Sequence, residues 1–258
     1  MATSQIHHAN ADWWDETAGW YGERDVDDDI EFLRAGGTYL LDSEREMLGD
    51  LSTWCGRAIH LQCSHGRDGL SLLHQGAAEV VGVDISERLV AVARRKSEAL
   101  GANSSWICSD VLSTPRDLDG TADLVYTGKG AICWMMDIAA WAAVVARLLK
   151  PGGRFFIHES HPLDWVWDVD APNYTLDPEF GDYYSQKLRN RLFLNVTETV
   201  PQYRTWTLAE IVNGLIDSGL AIDRLMEYPE PFWGQFPNMT PDTLRRLPHS
   251  FALLATKR

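Results

Sequence analysis

The segment Ala58-Ile-His-Leu-Gln-Cys-Ser-His-Gly66 ends in a glycine placed to open a helix, and Asp84 follows eighteen residues later. Free backbone N–H groups at a helix N-terminus hydrogen-bond an anion or a carboxylate. A carboxylate at the end of the next strand can accept both hydroxyls of a ribose. Gly66 and Asp84 thus suit a nucleoside-bearing cofactor, either a dinucleotide or S-adenosylmethionine. A second group is His158-Glu-Ser-His161. An extended chain puts Glu159 and His161 on one face, and Pro162 favours extension at His161. A histidine with an ordinary pKa of ~6.5 is mostly neutral at pH 7 and can take a proton. His161 is the candidate base, with Glu159 as its orienting partner. The segment lacks the i, i+4 histidine pair of a zinc helix, and His7-His8 fall in a terminus expected to be mobile, so no metal site is expected.

Those residues need strand ends to carry them. From Ala58 to Glu159 apolar runs that read as strands alternate with segments of helical spacing. Ala58–Leu61 and Val80–Val83 read as buried strands, with a helix from Gly66 to His74 between them. Ser86 caps the next helix, which stops at Gly101. Ser105–Cys108, Leu124–Tyr126 and Arg154–His158 follow as strands, and Ile138–Leu148 as a helix. Strands joined through helices imply right-handed crossovers and a parallel sheet covered on both faces. Thr207-Leu-Ala-Glu210 is a capping box opening a helix to Gly219. Ala221–Tyr228 and Phe251–Ala255 would close the sheet as an antiparallel hairpin edge. The expectation is an α/β, Rossmann-like, seven-stranded and mostly parallel sheet in one domain. Within it, 1–50 form a helical lid, 51–160 the cofactor-binding core, 160–205 a substrate-cap insertion after the fifth strand, and 206–258 the C-terminal helix and hairpin.

The net charge of −14 would repel a phosphate backbone, which excludes nucleic acid and anionic membrane as natural partners. No apolar run approaches the ~20 residues that span a bilayer, and the N-terminus has no signal pattern, so the protein is expected in the cytoplasm. The four cysteines show no C-x-x-C spacing; Cys63 and Cys108 read as small reduced core residues.

In order along the chain, these stretches resemble the class I S-adenosylmethionine-dependent methyltransferases. His60-Leu-Gln-Cys63 is similar to a variant of their first motif, Val81-Gly-Val-Asp-Ile-Ser86 to the acidic second-strand motif, and Cys108-Ser-Asp-Val111 to the adenine-side motif. Asp123-Leu-Val-Tyr-Thr127 resembles the fourth-strand motif, Leu149-Lys-Pro-Gly-Gly-Arg-Phe155 the turn into the fifth strand, and Gly36-Gly-Thr38 the variant's upstream segment. The resemblance implies S-adenosylmethionine as cofactor, held by Gly66, Asp84 and Ile85, by Asp110 and Val111 beside the adenine, and by the backbone of Gln62, Cys63 and Thr127. Ala11–Tyr21 resembles the family's N-terminal cover, with Tyr21 closing over the sulfonium. The commoner first motif has an acid where His60 stands and glycines where Gln62 and Ser64 stand. That acid's contact with the methionine amino group therefore does not carry over to His60.

The acceptor expected is a small molecule of specialised metabolism. The acidic balance favours a nitrogen acceptor, with oxygen and carbon as alternatives. Seven tryptophans outside the core (Trp13, Trp14, Trp20, Trp165, Trp167, Trp206 and Trp233) suggest an aromatic pocket or a homo-oligomer interface. A nicotinamide-dependent oxidoreductase is the alternative from another class, but it needs G-x-G-x-x-G, and Gln62 and Ser64 carry side chains into that space.

Overall fold

The computed structural model describes residues 3–185, 188–189 and 199–258. Three helices, α1 (Thr3–Tyr21), α2 (Val26–Arg34) and α3 (Asp42–Leu48), precede the alternating core. That core runs β1 (Ala58–Leu61), α4 (Arg67–His74), β2 (Val80–Asp84), α5 (Glu87–Leu100), β3 (Ser104–Cys108), β4 (Ala122–Gly128), α6 (Ile138–Leu148) and β5 (Leu149–Ser160). After it come β6 (Leu188–Arg189), β7 (Tyr203–Arg204), α7 (Leu208–Asp217), β8 (Leu220–Tyr228), α8 (Pro241–Leu244) and β9 (Ser250–Lys257). One sheet has the order β3-β2-β1-β4-β5-β9-β8, while β6 and β7 pair by themselves. The first five strands are parallel; β9 runs antiparallel to β5, and β8 antiparallel to β9. This is the expected seven-stranded, mostly parallel sheet. Residues 186–187 and 190–198 of the expected insertion lie outside the described residues.

Period-2 alternation sends apolar side chains to both faces. Ile59, Leu61, Val83, Val125, Phe155 and Ile157 meet α6 and α7 through Trp141, Val145, Ile211 and Leu215. Ala58, Val80, Leu124, Tyr126 and Phe156 face the other layer, with Leu70, Leu72, Val90 and Ala93 from α4 and α5. Two helix starts fit the sequence reading. Ser86 accepts from the Leu89 N–H, and Thr207 and Glu210 form the reciprocal capping box.

Other boundaries move. β5 begins at Leu149, ahead of the expected Arg154. Leu149 pairs with Ala122 and Arg154 with Leu124, so Lys150-Pro-Gly-Gly153 bulges out between two paired positions. Cys108 is exposed, not a core residue, because β3 is the edge of the sheet and its side chain faces outward. The N-terminal stretch is not a loose tail. His7 sits 2% exposed on a 19-residue helix, held by partners described below.

Candidate cofactor and acceptor site

The C-terminal ends of β1, β2, β3 and β4 surround a cavity of about 270 Å³, covered by α1. Its position outside the strand ends, where β1 lies between β2 and β4 and the strand order reverses, is where open α/β sheets bind ligands. The turn after β1 forms its floor. Gly66 has φ +85° and precedes α4. A Cβ on it would lie 2.8 Å from the Ala93 Cβ and 3.0 Å from Trp106, so both the backbone angle and the space demand glycine. Gln62 (φ 56°) and Ser64 (φ 49°) adopt the left-handed conformation that glycines fill in the commoner motif. The Gln62 side chain crosses the cavity wall and donates to the Ala131 carbonyl at 2.5 Å. Cys63 is buried, and burial raises its thiol pKa well above the ordinary value. It is a packed, uncharged thiol.

Asp84 closes β2 with 8% exposure. One oxygen accepts from the Ser64 N–H at 2.7 Å and the other from the Ser86 N–H at 3.0 Å. Burial raises its pKa against the pull of these N–H groups. Each oxygen keeps a lone pair, so the carboxylate can still receive ribose hydroxyls. Ile85 and Val111 offer apolar surface on the same wall. Asp110 caps the short turn Val111–Ser113 through the Leu112 N–H, and its other oxygen is 2.6 Å from His7 Nδ1. His7 Nε2 accepts from the Met136 N–H at 3.3 Å, so the imidazole is a bridge that ties α1 to the adenine-side turn. Tyr21 stands at the end of α1, its ring 5.3 Å from His65 and 5.5 Å from Trp14, and burial raises its hydroxyl pKa.

All the expected cofactor neighbours line this cavity except Thr127, which is fully buried and whose hydroxyl donates to the Gln62 side-chain oxygen at 3.5 Å. The next residue, Gly128, takes its place on the wall.

The expected base is not there. His161 caps the short helical turn Pro162–Val166 through Nδ1, which accepts from the Leu163 N–H at 3.2 Å, and Nε2 faces Glu227 on β8 at 3.0 Å. Both nitrogens are engaged away from the cavity. Glu159 does not orient it either. Its carboxylate gathers the N–H groups of Gly130, Ala131, Ile132 and Ser160 at 2.6 to 3.0 Å, and burial raises its pKa. Glu159 shapes the 130–132 turn that forms one cavity wall. The 130–132 turn holds the Glu159 carboxylate, and Glu227 on β8 faces the His161 ring.

Several lining residues were not singled out in the sequence. His7 and Asn10 come from α1, Asp68 from the first turn of α4, and Lys129 from the end of β4. Lys129 has φ 56° and donates to Asp68 at 2.6 Å, to Glu44 at 3.0 Å and to the Tyr39 carbonyl at 3.0 Å. His60, at the place of the missing acid, lines the wall with Nδ1 unpartnered, and burial pushes its pKa down to about 4. Of the seven tryptophans outside the core, Trp14 and Trp233 reach the cavity. Trp13 stacks on Trp134 at 5.4 Å and Trp206 donates to the Met135 carbonyl, so both pack the cover. No group of three His, Cys, Asp or Glu among the described residues is placed to hold a metal ion. No helix among them is long and apolar enough to cross a membrane.

Residues 58–153 match the family model described as a methyltransferase domain. The chain is 36% identical over 85 residues to a demethylmenaquinone methyltransferase of Thermus thermophilus, covering 33% of this chain and 38% of that protein. It is 28% identical over 134 residues to an uncharacterized 37.1 kDa protein in transposon TN4556 of Streptomyces fradiae, covering 51% and 37%. The chain thus spans less than two fifths of the length of these relatives. Among solved structures it resembles an S-adenosylmethionine-dependent methyltransferase from Mesorhizobium loti, with TM-score 0.63, 24% identity and coverage of 83% and 95%. It also resembles the geranyl diphosphate C-methyltransferase of Streptomyces coelicolor, with TM-score 0.58, 15% identity and coverage of 84% and 80%. The fold is that of the class I S-adenosylmethionine-dependent methyltransferases, and the matched segment holds the strand-end residues that build the cavity floor.

Proposed function

We propose that the chain transfers a methyl group from S-adenosylmethionine to a nitrogen of a small molecule of specialised metabolism. The observation that carries this reading is the convergence on one cavity of Asp84, the Gly66 turn, Asp110-Val111 and Tyr21. Asp84 would take the ribose, Ile85 and Val111 the faces of the adenine, and Tyr21 with Trp14 would cover the ligand from α1. The cofactor supplies an activated methyl on a sulfonium, ready for in-line displacement. The protein's share is then to align the acceptor and keep water out, which by itself supplies much of the rate.

Three carboxylates line the cavity (Asp68, Asp84 and Asp110) against two cations, Arg67 and Lys129. Both cations are already paired with acids: Arg67 with Asp29 and Asp25, Lys129 with Asp68 and Glu44. Such a wall favours a ligand arriving as a cation, which supports an amine. With His161 turned away, an amine acceptor would lose its proton to solvent before attack. The nicotinamide alternative draws no support from the matched domain, and the Gln62 side chain fills part of the space a pyrophosphate would need.

Thermal denaturation with ligands tests the reading. S-adenosylhomocysteine at ~100 times its dissociation constant should add about 2.7 kcal/mol to stability. NADH should add nothing. A shift with NADH and none with S-adenosylhomocysteine would sink the proposal.

A further inference from the structure

The cavity has three carboxylates, and in two of them each oxygen already holds a partner from the protein. Asp84 holds a backbone N–H on each oxygen, and Asp110 holds the Leu112 N–H on one oxygen and His7 on the other. Asp68 differs. Its Oδ1 accepts from Lys129, and among the described residues no donor reaches its Oδ2. The carboxylate is nevertheless held in place. Lys129 is anchored by Glu44 and the Tyr39 carbonyl, and Glu44 in turn accepts from the Tyr126 hydroxyl at 2.7 Å and the Leu41 N–H at 2.7 Å. The Asp68 side chain is 21% exposed on the cavity wall, so its unengaged oxygen has room for a ligand.

Asp68 also lies in the right part of the wall. It lines the cavity together with Tyr21 from the cover and His60 from β1. His60, buried and neutral there, offers no charge. S-adenosylmethionine carries an α-ammonium on its methionyl group, and an ammonium in a partly dry cavity requires an anionic partner. Glu44 is fully buried behind Lys129 and cannot meet a ligand.

We propose that Asp68 holds the α-ammonium of the cofactor's methionyl group, with Lys129 fixing the orientation of its carboxylate. This rests on the S-adenosylmethionine reading above. It makes a first-turn residue of α4 the electrostatic partner that β1 lacks, and it makes Lys129 a positioning residue.

Calorimetry with three ligands separates the possibilities. S-adenosylhomocysteine has the ammonium, its deamino analogue lacks only that group, and methylthioadenosine lacks the whole amino-acid portion. The wild-type protein should prefer S-adenosylhomocysteine over the deamino analogue by roughly 10- to 100-fold, the range of one hydrogen bond to a charged group. In Asp68→Asn that preference should vanish, while the deamino analogue and methylthioadenosine bind as before, which also shows that the variant is folded. Asp68→Glu should recover part of the preference. If Asp68→Asn keeps the full preference, or weakens all three ligands equally, the assignment is overturned. A wild-type protein that binds none of the three would instead overturn the cofactor reading itself.

Discussion

Ser64 carries two local costs. It holds φ 49°, where a side chain crowds the backbone, and its hydroxyl is buried with no partner. Left-handed geometry costs a non-glycine residue roughly 1–2 kcal/mol, and an unsatisfied buried hydroxyl roughly 1–3 kcal/mol. Glycine would give back about 0.5–1 kcal/mol through the greater entropy of its unfolded chain. Ser64→Gly should therefore stabilise the protein by about 1 kcal/mol or more, read as a higher urea midpoint at unchanged slope. A lower midpoint would mean that the hydroxyl has a partner in solution. Gln62→Gly removes the same strain but also the bond to the Ala131 carbonyl, so it should be close to neutral. Gly66 was legible in the sequence because only glycine satisfies both its angle and the packing of Trp106. Asp68 was harder to find, since an acid in a first helical turn is usual for reasons of helix electrostatics alone.

At the scale of elements, α1 is the piece that turns a shelf of strand ends into a cavity. It is fastened at points far apart in sequence. His7 meets Asp110 and the Met136 N–H, Asn10 exchanges two hydrogen bonds with the Gln202 backbone at 2.7 and 2.9 Å, and Asp15 accepts from Ser86 Oγ at 2.5 Å and the Arg88 N–H at 3.1 Å. Trp13 is 2% exposed and provides the apolar anchor against Trp134. Trp13→Ala should loosen this helix before it unfolds the sheet, because α1 contributes nothing to the strand ladder. The expected result is faster amide exchange over 3–21, unchanged protection in β1, β4 and β5, and at least a tenfold loss of S-adenosylhomocysteine affinity. Uniform loss of protection would show that α1 folds as one unit with the core. The sheet itself was readable because period-2 and helical spacing alternate cleanly from Ala58 to Glu159. The fastening of α1 was not, because a histidine in a polar N-terminal stretch gives no sign of an aspartate 103 positions away. The place of His161, away from the cavity lining, was hidden for a related reason. The residue pattern gave no sign of Glu227 on β8, which faces its ring at 3.0 Å.

Across the whole molecule, three of the buried histidines are held neutral well below their ordinary pKa. His60 and His158 are pushed down to about 4 and His65 to about 3, chiefly by burial. Neither nitrogen of His158 has a hydrogen bond, Nδ1 lies 3.9 Å from the Glu44 carboxylate, and the ring packs against Tyr228 and Phe232 at 5.3 and 4.8 Å. In the unfolded chain each would titrate near ~6.5. Below that pH the unfolded state takes up protons that the folded state refuses, so stability falls as pH drops from about 6.5 towards about 4 and levels off below the folded values. Each histidine can cost about 3 kcal/mol over this window, and together they rival a typical folding free energy of ~5–15 kcal/mol. Buried acids oppose the trend. Asp164 is pushed up to about 6, and Asp84, Glu44 and Glu159 are also raised. These groups bind protons better when folded and recover part of the loss in acid. The wild-type slope is a compromise between the two sets, so a single substitution is needed to isolate the histidines. His158→Leu removes one titrating group and two nitrogens without hydrogen bonds, and keeps an apolar side chain against Tyr228 and Phe232. It should match or exceed the wild-type urea midpoint at pH 7. Between pH 6 and 4.5 it should then lose stability more slowly, by about 1.4 kcal/mol per pH unit, the signature of one proton. Parallel curves for the two proteins would show that His158 is hydrated and titrates in the folded state as it does in the unfolded chain.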